Sequence, residues 1–212
     1  MRRWYPRRPA PAVLLLLVLA AVPAGAAVLL SELCPDPATD WNGNGVVESR
    51  GDEWLEVVNT GPDAVDLGDY FVRDALGEDP QLRLSGSLAP GETALFLGSD
   101  AEQWQRDQGL PVSGLSLNNG GDEVYLYHGD PRQGGVLVDA VVYPAHVGYD
   151  DRSLARFLPE DEWVLCDGLA PYGGGLEPIG TGCPPTPGQP NACDGLVADD
   201  ADTWTGIKRL YR

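Results

Sequence analysis

A chain of 212 residues with 27 Gly, 19 Pro and a formal net charge of −18 has the length for one domain with short appendages, and can bury a core of its own. Its 32 acidic against 14 basic residues exclude a nucleic-acid binder, which must neutralise phosphates with Lys and Arg. The same acidity suits cation binding, a saline habitat or a well-solvated surface, the last being the most economical.

In chain order, the first element is a leader. Arg2, Arg3, Arg7 and Arg8 precede an apolar run from Ala12 to Val22, and Ala24-Gly25-Ala26 supplies the small residues that a signal peptidase reads. The run is shorter than the roughly 20 residues that span a bilayer, so cleavage after Ala26 is expected and an uncleaved anchor is the competing reading. A lipoprotein is disfavoured because Glu32 sits close before Cys34. Without residues 1–26 the chain keeps 10 basic against 32 acidic residues, a net charge of −22 and no membrane span.

From residue 27 to about 170 helical periodicity is nearly absent, and short β-type runs are bounded by Gly, Pro, Asn or Asp. Strands are predicted at 28–33, 54–59, 70–73, 81–84, 93–97, 123–127, 136–143, 153–157 and 163–166. Turn signals separate them, as in Asn119-Gly120-Gly121-Asp122 and Gly129-Asp130-Pro131-Arg132. In the second run Leu55 and Val57 alternate with Glu56, the pattern of a half-buried strand. One helix is predicted over 100–107, with Asp100 as its cap and Trp104 turned inward. About nine short strands make an all-β chain, a sandwich of two antiparallel sheets.

Between the first two strands, Asp40-Trp41-Asn42-Gly43-Asn44-Gly45-Val46-Val47-Glu48 reproduces the first half of a calcium loop. Asp40, Asn42 and Asn44 offer oxygens at positions 1, 3 and 5, glycine follows at 6, Val46 offers its carbonyl at 7 and Glu48 stands at 9. Position 12, normally the bidentate acid, is Gly51, and Asp52 or Glu53 would have to reach in its place. The cofactor expectation is therefore Ca²⁺ with weak affinity, about 10⁻⁴ to 10⁻³ M; an Asn-Gly turn without metal is the alternative.

Composition changes beyond residue 170, with Gly173-Gly174-Gly175 and then Cys183-Pro184-Pro185-Thr186-Pro187-Gly188-Gln189-Pro190, which cannot be sheet interior. An acidic linker is expected over 194–203. The last stretch, 204–212, is aromatic and basic, and places Trp204, Ile207 and Tyr211 on one helical face as partner-docking candidates. Four cysteines in an exported chain imply disulfides, with three connectivities open. Proximity pairs Cys183 with Cys193, and elimination then pairs Cys34 with Cys166. On the chain-entropy model these are worth ~3 and ~5 kcal/mol.

Catalytic signatures are missing. There is no G-x-S-x-G elbow, His128 and His146 lack a Ser or Cys partner motif, and the only lysine, Lys208, belongs to no phosphate loop. Glu53 and Glu56 frame Trp54 and are expected on a solvated sheet face or bonded to a neighbouring loop.

Seven segments in register resemble the lamin tail domain, in the form carried by exported bacterial proteins. They are Leu30-Ser31-Glu32-Leu33 with Asp36-Pro37; Asp52-Glu53-Trp54-Leu55-Glu56-Val57-Val58-Asn59; Val65-Asp66-Leu67-Gly68-Asp69-Tyr70; Leu88-Ala89-Pro90-Gly91-Glu92; Leu117-Asn118-Asn119-Gly120-Gly121-Asp122-Glu123-Val124; Val138-Asp139-Ala140-Val141-Val142-Tyr143; and Thr186-Pro187-Gly188-Gln189-Pro190-Asn191. The resemblance covers residues 28–192 and implies an immunoglobulin-like sandwich, here bounded at 27–193, with no catalytic motif. The function expected is a secreted or cell-surface binding or adhesion module for a protein or surface ligand. A structural protein attached to an assembly through residues 204–212 is the alternative, and a small hydrolase the outside one.

Overall fold

In β1 (Val28–Cys34) Leu30 and Leu33 both enter the core, although an unbroken strand would turn them to opposite faces. A β-bulge at Ser31 resets the phase: Leu30 lies opposite Val57 and Glu32 opposite Glu56, so one residue of β1 is extra. The computed structural model describes residues 28–75, 77–144, 151–167 and 182–193. The leader 1–26, His146, the 173–175 glycines, the linker 194–203 and the docking candidates Trp204, Ile207 and Tyr211 lie outside these residues.

Ten further strands follow: β2 (Trp54–Asn59), β3 (Val65–Asp66), β4 (Tyr70–Asp74), β5 (Leu82–Arg83), β6 (Ser87–Leu88), β7 (Thr93–Leu97), β8 (Gly121–His128), β9 (Val136–Pro144), β10 (Ser153–Phe157) and β11 (Glu162–Cys166). One sheet runs β11-β10-β1-β2-β7, the second β5-β4-β8-β9, and β3 pairs with β6. Every pairing among them is antiparallel. The result is an immunoglobulin-like sandwich. Its main core sets Leu30, Leu33, Leu55, Val57, Phe96 and Leu154 of the first sheet against Val72, Leu82, Val124, Leu126, Val141 and Tyr143 of the second. All nine expected strands are present: five are longer by a residue or more at an end, and the one expected at 81–84 is shorter, as Leu82–Arg83. The two-residue β3 and β6 were too short to leave a period.

The sheets are tied at the bulge. Leu30 N donates to Asp139 Oδ2 on β9 (2.8 Å), and the same oxygen pairs with Arg156 of β10 at 2.6 Å. Arg156 also bonds Asp161, and its guanidinium carbon sits 5.6 Å from the Trp163 ring centre.

The helix predicted over 100–107 extends further, as α2 (Gly98–Gln108). Asp100 lies inside its first turn and accepts from Leu97 N (2.9 Å), closing the start from within. Trp104 packs on the core rim, while the neighbouring Gln105 is the residue fully inside. A four-residue helix, α1 (Ser49–Asp52), precedes β2.

Two expectations are corrected. β2 is not half-buried: Trp54, Leu55, Glu56 and Val57 are all inside, because the outer face of the first sheet is also covered. Trp41 packs edge-on against Trp54 with ring centres 6.1 Å apart. A second small core gathers Ala155, Cys166 and Cys183, with Phe157 and Cys193 against it. The segment closed by the Cys183–Cys193 disulfide (Cα–Cα 5.0 Å) thus lies on the sheet, and that pairing agrees with the expected one. Cys34 and Cys166, however, are separate buried thiols. Strand β10 runs between them: Leu33 faces Leu154, and Ser153 faces Cys166. Two strand spacings are about 9.6 Å, beyond the roughly 7 Å that a disulfide tolerates between Cα atoms.

Candidate functional site

Three groupings carry chemistry. The first is the 40–52 loop. Asp40 Oδ1 and Oδ2 accept from Asn44 N (3.0 Å) and Gly45 N (2.8 Å). Asn42 Oδ1 accepts from Asn44 N (2.9 Å), and Asn44 Oδ1 from Val46 N (2.7 Å). These side chains fold the loop onto itself, with Gly43 and Gly45 at positive φ where the turn needs it. The loop is closed by Asp52, fully buried, whose two oxygens accept from Asn42 N (3.0 Å) and Glu48 N (2.8 Å). A Cβ at Gly51 would stand 2.9 Å from Asn42 Nδ2 and 3.1 Å from Glu48 Oε1, both ends of side chains that can move aside. Of the residues expected here, Asp40, Asn42, Asn44 and the Val46 backbone converge; Glu48 reaches Asp52 through its amide, and Val46 leaves its side chain 58% exposed. Glu53 turns away. Among the described residues no three His, Cys, Asp or Glu side chains form a metal-holding group.

The second grouping is a set of buried carboxylates. Glu53 Oε2 accepts from Leu117 N (3.2 Å), and burial pushes its carboxyl up to about 8. Glu56 is also pushed up to about 8, by burial and by the nearby Glu32 charge, against a bond from Gly188 N. The two acids therefore bond neighbouring loops, as one expected alternative held, and neither faces solvent. Glu32, which the sequence did not single out, is 1% exposed and accepts from Ser153 Oγ, Thr186 N and Thr186 Oγ1.

The third is the outer face of β5-β4-β8-β9. Register aligns Arg83, Phe71, Tyr127 and Leu137 in one row, Arg73, Tyr125 and Ala140 in the next, and Glu123 and Val142 in a third. The Arg73 guanidinium carbon lies 5.3 Å from the Tyr125 ring centre and 5.4 Å from that of Tyr127, and Arg83 stacks on Phe71 at 5.8 Å. The Tyr125 hydroxyl donates to Glu123. Leu137 and Val142 are 45% and 69% exposed. Period-two alternation along 123–127 sets both tyrosines on one face; the arginines of this face come from β4 and β5, which sequence separation hides. His128 packs at a tilt against Tyr70, ring centres 5.0 Å apart, at the exposed end of β8.

Residues 21–145 match the family model of the Lamin Tail Domain, and the chain belongs to that family of immunoglobulin-like, non-catalytic domains. No curated protein and no solved structure matches it.

Proposed function

We propose that this lamin tail domain acts outside the cytoplasm as a non-enzymatic protein-binding module, with the outer face of β5-β4-β8-β9 as its contact surface. The observation that carries the reading is the Arg73–Tyr125–Tyr127 stack beside the exposed Leu137 and Val142. Tyr and Arg concentrate binding energy at protein interfaces, because each offers a large rigid surface with a polar end. Export is supported by the leader-like residues 1–26 and by the Cys183–Cys193 disulfide, which an oxidising compartment maintains. A photo-crosslinking residue placed at Val142 in the producing cells should yield one discrete adduct, and the same residue at the exposed Gln103 of α2 none. Equal labelling from both positions, or none from Val142, rejects the surface.

A second reading concerns calcium. The Asp40, Asn42 and Asn44 oxygens are held inward by backbone amides, which leaves lone pairs for a hard cation. Asp52 closes the loop through the Asn42 and Glu48 amides. Ca²⁺ would rigidify the loop that carries Trp41 onto Trp54 and so support the fold rather than supply chemistry. A ligand that binds only the folded state raises its stability by RT ln(1 + [L]/Kd). Millimolar calcium at fixed ionic strength should raise Tm in the wild type and not in Asp40→Ala. An unchanged wild-type Tm reduces the loop to a turn.

A further inference from the structure

Glu32 and Glu56 are direct cross-strand partners on β1 and β2, and they are 1% and 0% exposed. Side chains so opposed stand about 5 Å apart at Cβ, and like charges there repel. The two are unequally supported. Glu32 has Ser153 Oγ, Thr186 Oγ1 (2.7 Å) and Thr186 N around its oxygens, enough to hold an anion. Glu56 has Gly188 N on Oε1, and its Oε2 is buried without a hydrogen-bond partner. A bare buried oxygen suits a neutral carboxylic acid and is costly for a carboxylate.

Among the described residues the remaining neighbours do not supply a counter-charge. Leu95 of β7 faces Glu56, and Ala155 of β10 faces Glu32. The Arg156 guanidinium is taken by Asp139 and Asp161, and Arg152 pairs with Asp167. The thiols Cys34 and Cys166 share the face, and both are pushed up, first by burial and in part by the Glu32 charge. What covers the pair is the disulfide-closed segment. Thr186 and Gly188 bond the two acids, and Asn191 Nδ2 donates to Ser31 O (2.9 Å) and Arg156 O (2.8 Å).

We propose that Glu32 and Glu56 are a one-proton latch: Glu32 the anion, Glu56 the neutral acid, together clamping segment 183–193 over the sheet, and losing that proton releases the segment. With the proton present, the one negative charge rests on Glu32 among its Ser153 and Thr186 donors, and Gly188 N bonds the neutral Glu56. Without it, two facing carboxylates are buried under a cover that offers no cation, and separation of the cover admits water. The device lies on the opposite sheet from the binding face and does not depend on that reading.

Hydrogen exchange at the Thr186 and Gly188 amides tests it, on protein purified from the exporting host between pH 6 and 9.5. After correction for intrinsic base catalysis, protection should fall about tenfold per pH unit from pH 6 up to the closed-state value of Glu56, about 8, and should level off above it. The released carboxyl ionises at an ordinary value while the clamped one does not. The local readout separates this from Glu53, which acts on Leu117. Glu56→Gln, a neutral isostere, should keep the protection and lose the pH dependence. Flat corrected protection in the wild type, or a wild-type slope in Glu56→Gln, overturns the latch. If that variant does not fold, carboxyl ¹³C shifts of the wild type decide. A Glu56 titration well above the ordinary carboxylate range supports the latch, and ordinary titration of both acids overturns it.

Discussion

Gln105→Leu replaces one buried amide by an apolar side chain of similar size. Gln105 is 2% exposed. Its Nε2 donates to Gln81 O (2.9 Å) and Gly114 O (2.8 Å), and its Oε1 accepts from Ser113 N (2.7 Å) and Gly114 N (3.1 Å). The variant leaves four backbone groups without that partner. Three of these bonds are buried, and the Ser113 amide, partly buried, can recruit water. An orphaned buried backbone group costs about 1–3 kcal/mol. Allowing for relaxation of the 110–117 loop, the loss should be ~3–5 kcal/mol. That corresponds to a Tm drop of about 10–15 °C for a domain of this size. Urea unfolding is the assay, with Gln103→Leu on the exposed side of α2 as a control expected near zero. A loss below ~1 kcal/mol for Gln105→Leu would mean that the 110–117 loop does not hang on this side chain.

Further outcomes follow from the same structure. Denatured but unreduced protein should show two reactive thiols per chain and the native protein none, since Cys34 and Cys166 are buried; no thiols after denaturation would restore the second disulfide. Replacing Cys183 and Cys193 by Ser should cost ~3 kcal/mol in urea unfolding, from the short loop they close. Asp151 bonds Ala38 N, Thr39 N, Thr39 Oγ1 and Trp41 Nε1, and although burial opposes it, these bonds hold the carboxyl below the usual range. Its contribution is therefore complete above the unfolded value near 3.8 and is lost as pH falls through the folded one. Trp41 fluorescence should report release of the 36–41 stretch only in strong acid in the wild type, and already at neutral pH in Asp151→Ala.

The strands were legible because each is a short β-type run between turn residues, and the outer rows of β8 followed from simple alternation. The covered face of the first sheet was not legible. Glu56 between Leu55 and Val57 reads as a solvent-facing position, and only a loop 132 residues away in sequence makes it interior. The bulge at Ser31 was likewise invisible, because it is defined by the partner strand. Cys34 and Cys166 were paired by elimination; the intervening β10 is a fact of sheet order that residue counting does not contain. In the 40–52 loop the ligand-type residues were identifiable by spacing. The buried Asp52 clamp was weighed only as a substitute ligand, and what it does in the structure is hold two backbone amides.

The central claim is that the outer face of β5-β4-β8-β9 binds a partner outside the cytoplasm. Its most direct test is retention of the labelled protein on the producing cells, comparing the wild type with a Leu137→Glu/Val142→Glu variant of matched Tm. Both side chains are exposed, so folding should not suffer. The account predicts at least about a tenfold loss of retention, the scale of one interface anchor. Undiminished retention by the folded variant would contradict it and move the contact surface elsewhere on the domain.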